Sequence, residues 1–191
     1  MSRLVLRIIA VAGVIALLGV GSYAIAGGGS KNFRGIPLNG YEENPDISTL
    51  ASGSFEGRLS QDGQSLAWEL EYSGIEGGNT LQAHVHFGKR AVNGGVSFFL
   101  CSNLANPPAG TQACPLTGGR VTGVTDRDDV IGPAGQGIDP GQFDEIIAAM
   151  RAGHAYANVH STKYPGGEIR AQINDGDRGH HGEHDDEGDD D

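Results

Sequence analysis

Apolar and polar residues alternate with a period of two along much of the chain. Residues 65–72 (SLAWELEY) set the pattern: Leu66, Trp68, Leu70 and Tyr72 fall on one side, Ala67, Glu69 and Glu71 on the other. Successive strand side chains point to opposite faces, so this segment predicts a strand with one buried face. Residues 80–87 (TLQAHVHF) repeat it, with Leu81, Ala83, Val85 and Phe87 opposite Gln82, His84 and His86. Further strands are predicted over 53–59, 94–101, 118–124, 154–161 and 166–173. In the last two, Tyr156, Asn158 and His160 share a face, and Glu168, Arg170 and Gln172 share another. Gln61-Asp62-Gly63-Gln64, Gly77-Gly78-Asn79 and Tyr164-Pro165-Gly166-Gly167 read as turns between them.

One segment changes period. Phe143, Ile146, Ile147 and Met150 recur at i, i+3, i+4 and i+7, the stripe of a helix. Asp139 suits its N-cap, Pro140 its first position, Gln142 a capping box and Gly153 its C-terminal stop. Short strands punctuated by turns, with one helix, predict an all-β fold: an antiparallel, Greek-key-like β-sandwich of superoxide-dismutase-like type.

Composition agrees. The 191 residues include 32 Gly, and each Gly in a helix interior costs ~1 kcal/mol, which excludes a helix bundle. The formal charge of −11 argues against nucleic acid as a partner. That charge is unevenly placed. Residues 174–191 hold nine acidic residues and one Arg, and no apolar residue to bury. They predict a disordered acidic tail, whose His180, His181 and His184 offer weak metal binding. Residues 1–26 read as a signal peptide: Arg3 and Arg7, an apolar run from Ile8, then Ala24-Ile25-Ala26 with cleavage after Ala26. The alternative is an uncleaved membrane anchor over residues 8–26. Residues 27–35 read as a linker and 36–173 as the domain. The domain is expected to be exported: secreted, periplasmic or at the cell surface.

Cys101 and Cys114 stand 13 apart. In an exported chain they most simply form one disulfide. A redox or metal pair is the alternative, without the usual C-x-x-C spacing. Asp126-Arg127-Asp128-Asp129 reads as a solvated loop, since it lacks the Gly and terminal Glu of a calcium loop.

Two longer motifs carry a resemblance. Ala83-His84-Val85-His86-Phe87-Gly88 with Asn93-Gly94-Gly95-Val96 resembles the A-H-x-H-x-G…N-G-x-V signature of the CHRD (chordin) domain family. Gly153 to Ser161, followed by Pro165-Gly166-Gly167-Glu168-Ile169-Arg170-Ala171-Gln172-Ile173, resembles its closing motif, with Ser161 for the usual Thr and Ala171 for the usual Gly. Leu38-Asn39-Gly40-Tyr41-Glu42-Glu43-Asn44-Pro45 stands where the family has its opening L-x-G-x-x-E-x-P-P. The resemblance implies an extracellular all-β domain. In chordin, such domains belong to a secreted antagonist of bone morphogenetic proteins.

His84 and His86 carry the candidate chemistry. At i and i+2 on a strand they point the same way, with Cα atoms ~6.5–7 Å apart, close enough to share one ion. With His160 they form a set suited to copper or zinc. The H-V-H strand is similar to the copper-site strand of Cu/Zn superoxide dismutase. The chain shows no bridging His, zinc-loop Asp or fourth copper ligand to match. The competing expectation is a structural polar network of Tyr156, Asn158, Glu168 and Arg170, with His84 paired to Glu168 and Arg170 to an acid across the sheet. Three functions follow. The first is a non-catalytic extracellular interaction or structural module whose partner, a protein or surface, the sequence does not name. The second is a copper- or zinc-binding β-sandwich. The third, more distant, is a dismutase-like redox enzyme.

Overall fold

A computed structural model describes residues 31–175. The expected signal peptide and the tail histidines His180, His181 and His184 lie outside the described residues. The strands are β1 (Asn32–Asn39), β2 (Ser52–Leu59), β3 (Leu66–Ser73), β4 (Thr80–Phe87), β5 (Gly95–Ser102), β6 (Gly119–Thr125), β7 (Ala155–Ser161) and β8 (Ile169–Asp175). The helix α1 (Phe143–Arg151) precedes β7.

All pairings are antiparallel, in the order β5-β4-β7-β8-β1-β2-β3-β6. The sheet curls into a nearly closed barrel or sandwich, which brings edge strands β5 and β6 together. The Gln112 side chain spans the seam, donating to Thr122 O at 2.8 Å and to Leu100 O at 3.5 Å. The all-β expectation with one short helix holds. The core is the inner face the alternation marked. Leu66, Trp68, Leu70 and Tyr72 of β3 meet Phe55, Phe98, Leu100, Val85, Val159 and Ile169 there, all buried.

Three boundaries differ from the sequence reading. First, β1 begins at Asn32, inside the stretch expected to be linker. Its pairing with β2 shifts register between Gly35 and Leu38. This leaves Ile36 exposed while Phe33 and Leu38 are buried, and so breaks the alternation. Second, α1 starts at Phe143, not after Asp139. Asp139-Pro140-Gly141-Gln142 is a turn: Gln142 N–H donates to Asp139 O at 3.1 Å, and Gly141 has φ +86°. The Gln142 side chain does reach back, accepting from Asp139 N–H at 2.7 Å. At the other end Gly153 has φ +72°, His154 N–H bonds Ala149 O and Gly153 N–H bonds Met150 O. That left-handed stop closes the helix as the glycine predicted. Third, β4 and β7 are buried on both faces: every residue of β7 is buried. Loops cover the outer face of these two strands.

Cys101 and Cys114 form the disulfide. It closes the loop that carries Gln112 across the β5–β6 seam. Asn103 fastens the same loop, donating to Thr80 O at 2.9 Å and Cys114 O at 3.0 Å. A loop of this size is worth ~3 kcal/mol in the chain-entropy view. Replacing both cysteines by Ala is expected to lower the free energy of unfolding by about 3 kcal/mol in denaturant titration. A loss under about 1 kcal/mol would show that the loop is held without the bond.

Candidate metal centre

The covered outer face of β4 and β7 carries the polar residues that the alternation set apart. Antiparallel register places His84 opposite Asn158, His86 opposite Tyr156 and Gln82 opposite His160. A strand pair so aligned gathers His84, His86 and His160 on one side. The structure brings all three together, with one candidate ligand nitrogen from each within 4.8 Å of the others. Ring centroids lie 5.3 Å (His84–His86), 5.0 Å (His84–His160) and 5.9 Å (His86–His160) apart. All three are buried, at 2%, 7% and 5% exposure.

The hydrogen bonds fix which nitrogen carries the proton. His86 Nδ1 lies 3.0 Å from Gly94 O, and His160 Nδ1 lies 2.9 Å from Pro165 O. A carbonyl only accepts, so both Nδ1 atoms are protonated and both Nε2 atoms hold lone pairs. His84 Nδ1 sits 3.2 Å from His160 Nε2. Because that Nε2 accepts, His84 Nδ1 donates, which leaves His84 Nε2 with a lone pair. His84 Nε2 and His86 Nε2 have no partner at all. Buried polar atoms are nearly always satisfied. Here two lone pairs are left unused inside a cluster whose candidate ligand nitrogens lie within 4.8 Å of one another.

Burial sets the charge. Desolvation, helped by His160 and His86, pushes His84 down to about 2. Desolvation outweighs the Gly94 hydrogen bond and holds His86 at about 4. His160 is lowered by the same cause. The cluster is neutral at pH 7, the state in which imidazole binds metals.

Around the cluster stands a shell of rings. Phe99 of β5 meets His84 edge-on at 4.3 Å. Tyr156 stacks on His86 at 4.7 Å with planes 3° apart, and the Arg170 guanidinium lies 3.4 Å from the Tyr156 ring centroid. Arg170 donates to Val92 O at 3.1 Å and Lys89 O at 2.9 Å. It thus pins the β4–β5 loop over the site. The expected acid across the sheet is replaced by these two carbonyls and the ring. Asn158 donates to Ile169 O at 2.9 Å and to Glu43 Oε1.

Glu168 does not meet His84. Its carboxylate accepts from Thr49 Oγ1 (2.9 Å), Glu76 N–H (2.8 Å) and Gly77 N–H (3.1 Å). Three donors from two loops satisfy an anion better than one neutral imidazole does. The residues of Asp126-Arg127-Asp128-Asp129 cap their own turn: Asp126 accepts from Asp128 N–H, and Asp129 from Asp126 N–H.

Glu43 is the residue that the alternation did not single out. It is 6% exposed, and desolvation pushes its carboxyl up to about 7 against the pull of Asn158 and Arg170. A Cβ at Gly167, where φ is +134°, would sit 2.5 Å from Glu43 Oε1 and 2.7 Å from Asn158 Nδ2. Gly167 is therefore what lets the β7–β8 turn close over that pair. The sequence signal for Glu43 was its place as the acid of the opening L-x-G-x-x-E-x-P motif, a letter without a physical role.

The geometry defines an antiparallel β-barrel or sandwich with a loop-covered, three-histidine cluster on its outer face. The chain belongs to the CHRD-domain family: the family model described as CHRD domain matches residues 35–173. No curated protein and no solved structure matches the chain.

Proposed function

We propose that this CHRD domain is an exported, non-catalytic module that holds one copper or zinc ion between His84, His86 and His160. The observation that carries it is the pair of unpartnered Nε2 atoms inside a buried cluster of neutral imidazoles. Three nitrogens at ~2.0–2.1 Å from one ion lie ~3.5 Å apart in a trigonal arrangement, so gaps of up to 4.8 Å between candidate nitrogens close by about 1.3 Å at most. Non-catalytic retention fits the burial of all three rings beneath the loops at 88–94 and 164–167. Among the described residues there is no second group of three such ligands to serve a two-metal site.

Export is part of the same proposal. The disulfide fits an oxidising compartment. Residues 1–26 would then be the signal peptide, removed after Ala26, and the acidic residues beyond 173 a separate tail. An extracellular protein or surface remains the partner class this module would serve.

Equilibrium dialysis against Cu and Zn ions tests the reading. The chain carries His180→Ala, His181→Ala and His184→Ala throughout, so that the tail contributes nothing. One ion per chain is expected, with affinity falling at least 100-fold in His160→Gln and in His84→Gln. Binding that is weak and unchanged by either substitution would sink the proposal. Circular dichroism on each variant separates loss of the site from loss of the fold.

A further inference from the structure

Resting on the reading of the cluster as a metal site, we infer that the ion it is built to hold is monovalent copper, Cu(I). The donor set carries no charge. Its members are three imidazoles, and no carboxylate or thiolate stands with them. Both cysteines are consumed by the disulfide. Glu168 is turned to Thr49 and to the backbone of residues 76–77.

The nearest opposed charges bring no net anion. Glu43 and Arg170 feel each other electrostatically. When Glu43 is ionised it offsets Arg170, and when it is protonated the Arg170 charge stands alone. Arg170 reaches the cluster through stacked rings: its guanidinium lies over Tyr156, and Tyr156 lies over His86. A cation bound at His86 therefore feels a positive neighbour.

Charge then decides between ions of similar size. The desolvation penalty of a buried ion grows as the square of its charge, so a divalent ion faces about four times the penalty of a monovalent one. Zinc sites meet that penalty with thiolates or carboxylates, or with an open fourth position filled by water. Here the donors number three and are all buried, and loops close the face above them. Cu(I) has one charge and a filled d shell, and two or three neutral donors satisfy it. A trigonal arrangement at ~2.0 Å needs nitrogens ~3.5 Å apart, and one candidate nitrogen from each ring already lies within 4.8 Å of the others. Binding at His160 Nε2 takes up the lone pair that accepts from His84 Nδ1, so it releases the hydrogen bond between these two rings.

The test compares three ions on one folded protein. The full chain with the tail-histidine substitutions is titrated anaerobically with Cu(I), using ascorbate and a chromophoric Cu(I) chelator as competitor. It is then titrated separately with Cu(II) and with Zn(II). Cu(I) is expected at one per chain, at least 100-fold tighter than Cu(II). By cyclic voltammetry the bound couple then lies about 120 mV above aqueous copper, at 59 mV per tenfold. Zn(II) is expected not to displace it at tenfold excess. Cu(II) or Zn(II) bound at the histidines as tightly as Cu(I) would overturn the choice of ion and leave the metal site standing. No ion bound by any histidine of the set would overturn both. His86→Gln, which keeps a donor for Gly94 O, reports whether the Cu(I) is at this cluster: unchanged Cu(I) affinity contradicts the assignment.

Discussion

Metal-free protein is expected to lose stability on mild acidification, through the buried histidines. His84 at about 2 and His86 at about 4 are held far below the usual 6.5. The unfolded chain therefore binds protons that the folded chain refuses. For groups lowered on folding, the stability is fully present above the unfolded value, and it is withdrawn as pH falls from 6.5 toward the folded one. By linkage His84 and His86 each remove about 2 kcal/mol by pH 5, and His160, also lowered, adds to the loss.

Glu43 works in the opposite sense. Its folded value, about 7, lies above the usual 4.5. Its favourable state is the protonated one, fully present below 4.5 and lost as pH rises through 7. Acidification from pH 7 to 5 thus returns about 2 kcal/mol through Glu43. The net loss over that interval is at least about 2 kcal/mol, against a total of 5–15 for a typical domain. Glu43→Gln separates the two signs: it stabilises by up to about 3 kcal/mol at pH 8, by nothing below pH 4, and steepens the acid transition between. Urea midpoints across pH 4–8 measure this. A midpoint that stays flat from pH 7 to 5 in the native chain would mean that the cluster is not buried and neutral as described.

The second large effect concerns the ion. An ordinary surface site of three imidazoles near 6.5 loses ~10³-fold in affinity between pH 7.5 and 5.5, as protons take each lone pair. In this cluster protons have already been excluded by burial, so the ion meets little competition. His84 and His86 hold no proton at either pH, so the affinity is expected to fall by no more than about tenfold over the same interval, the share an ordinary third imidazole would lose. A thousandfold loss would contradict binding between β4 and β7.

Much of this was legible in the chain because a strand states its faces. The alternation in 65–72 and 80–87 placed Trp68 and Val85 inward and His84 and His86 on the other side, and the structure agrees. Register was not legible. That His84 stands opposite Asn158, and that His160 falls within reach, follows from β4 pairing β7 across about seventy residues of sequence. β1 escaped notice because its bulge interrupts the period between Gly35 and Leu38. The polar partners were misread where long side chains had a choice. Glu168 is expected against His84 and Arg170 against an acid, yet Glu168 is held by the Thr49 hydroxyl and the N–H groups of Glu76 and Gly77, and Arg170 by the carbonyls of Lys89 and Val92, all on loops far along the chain. Burial of the outer face was hidden for the same reason: the loops at 40–47, 88–94 and 164–167 that cover it have no period to read.

The central claim is that three imidazoles of β4 and β7 hold one ion. X-ray absorption at the edge of the bound metal tests it most directly, on the chain lacking the tail histidines and loaded at one equivalent. The account predicts a first shell of imidazole nitrogens at ~2.0 Å, no sulfur, and outer-shell ring scattering that disappears in His160→Gln. A shell dominated by oxygen, or one unchanged by that substitution, would contradict it.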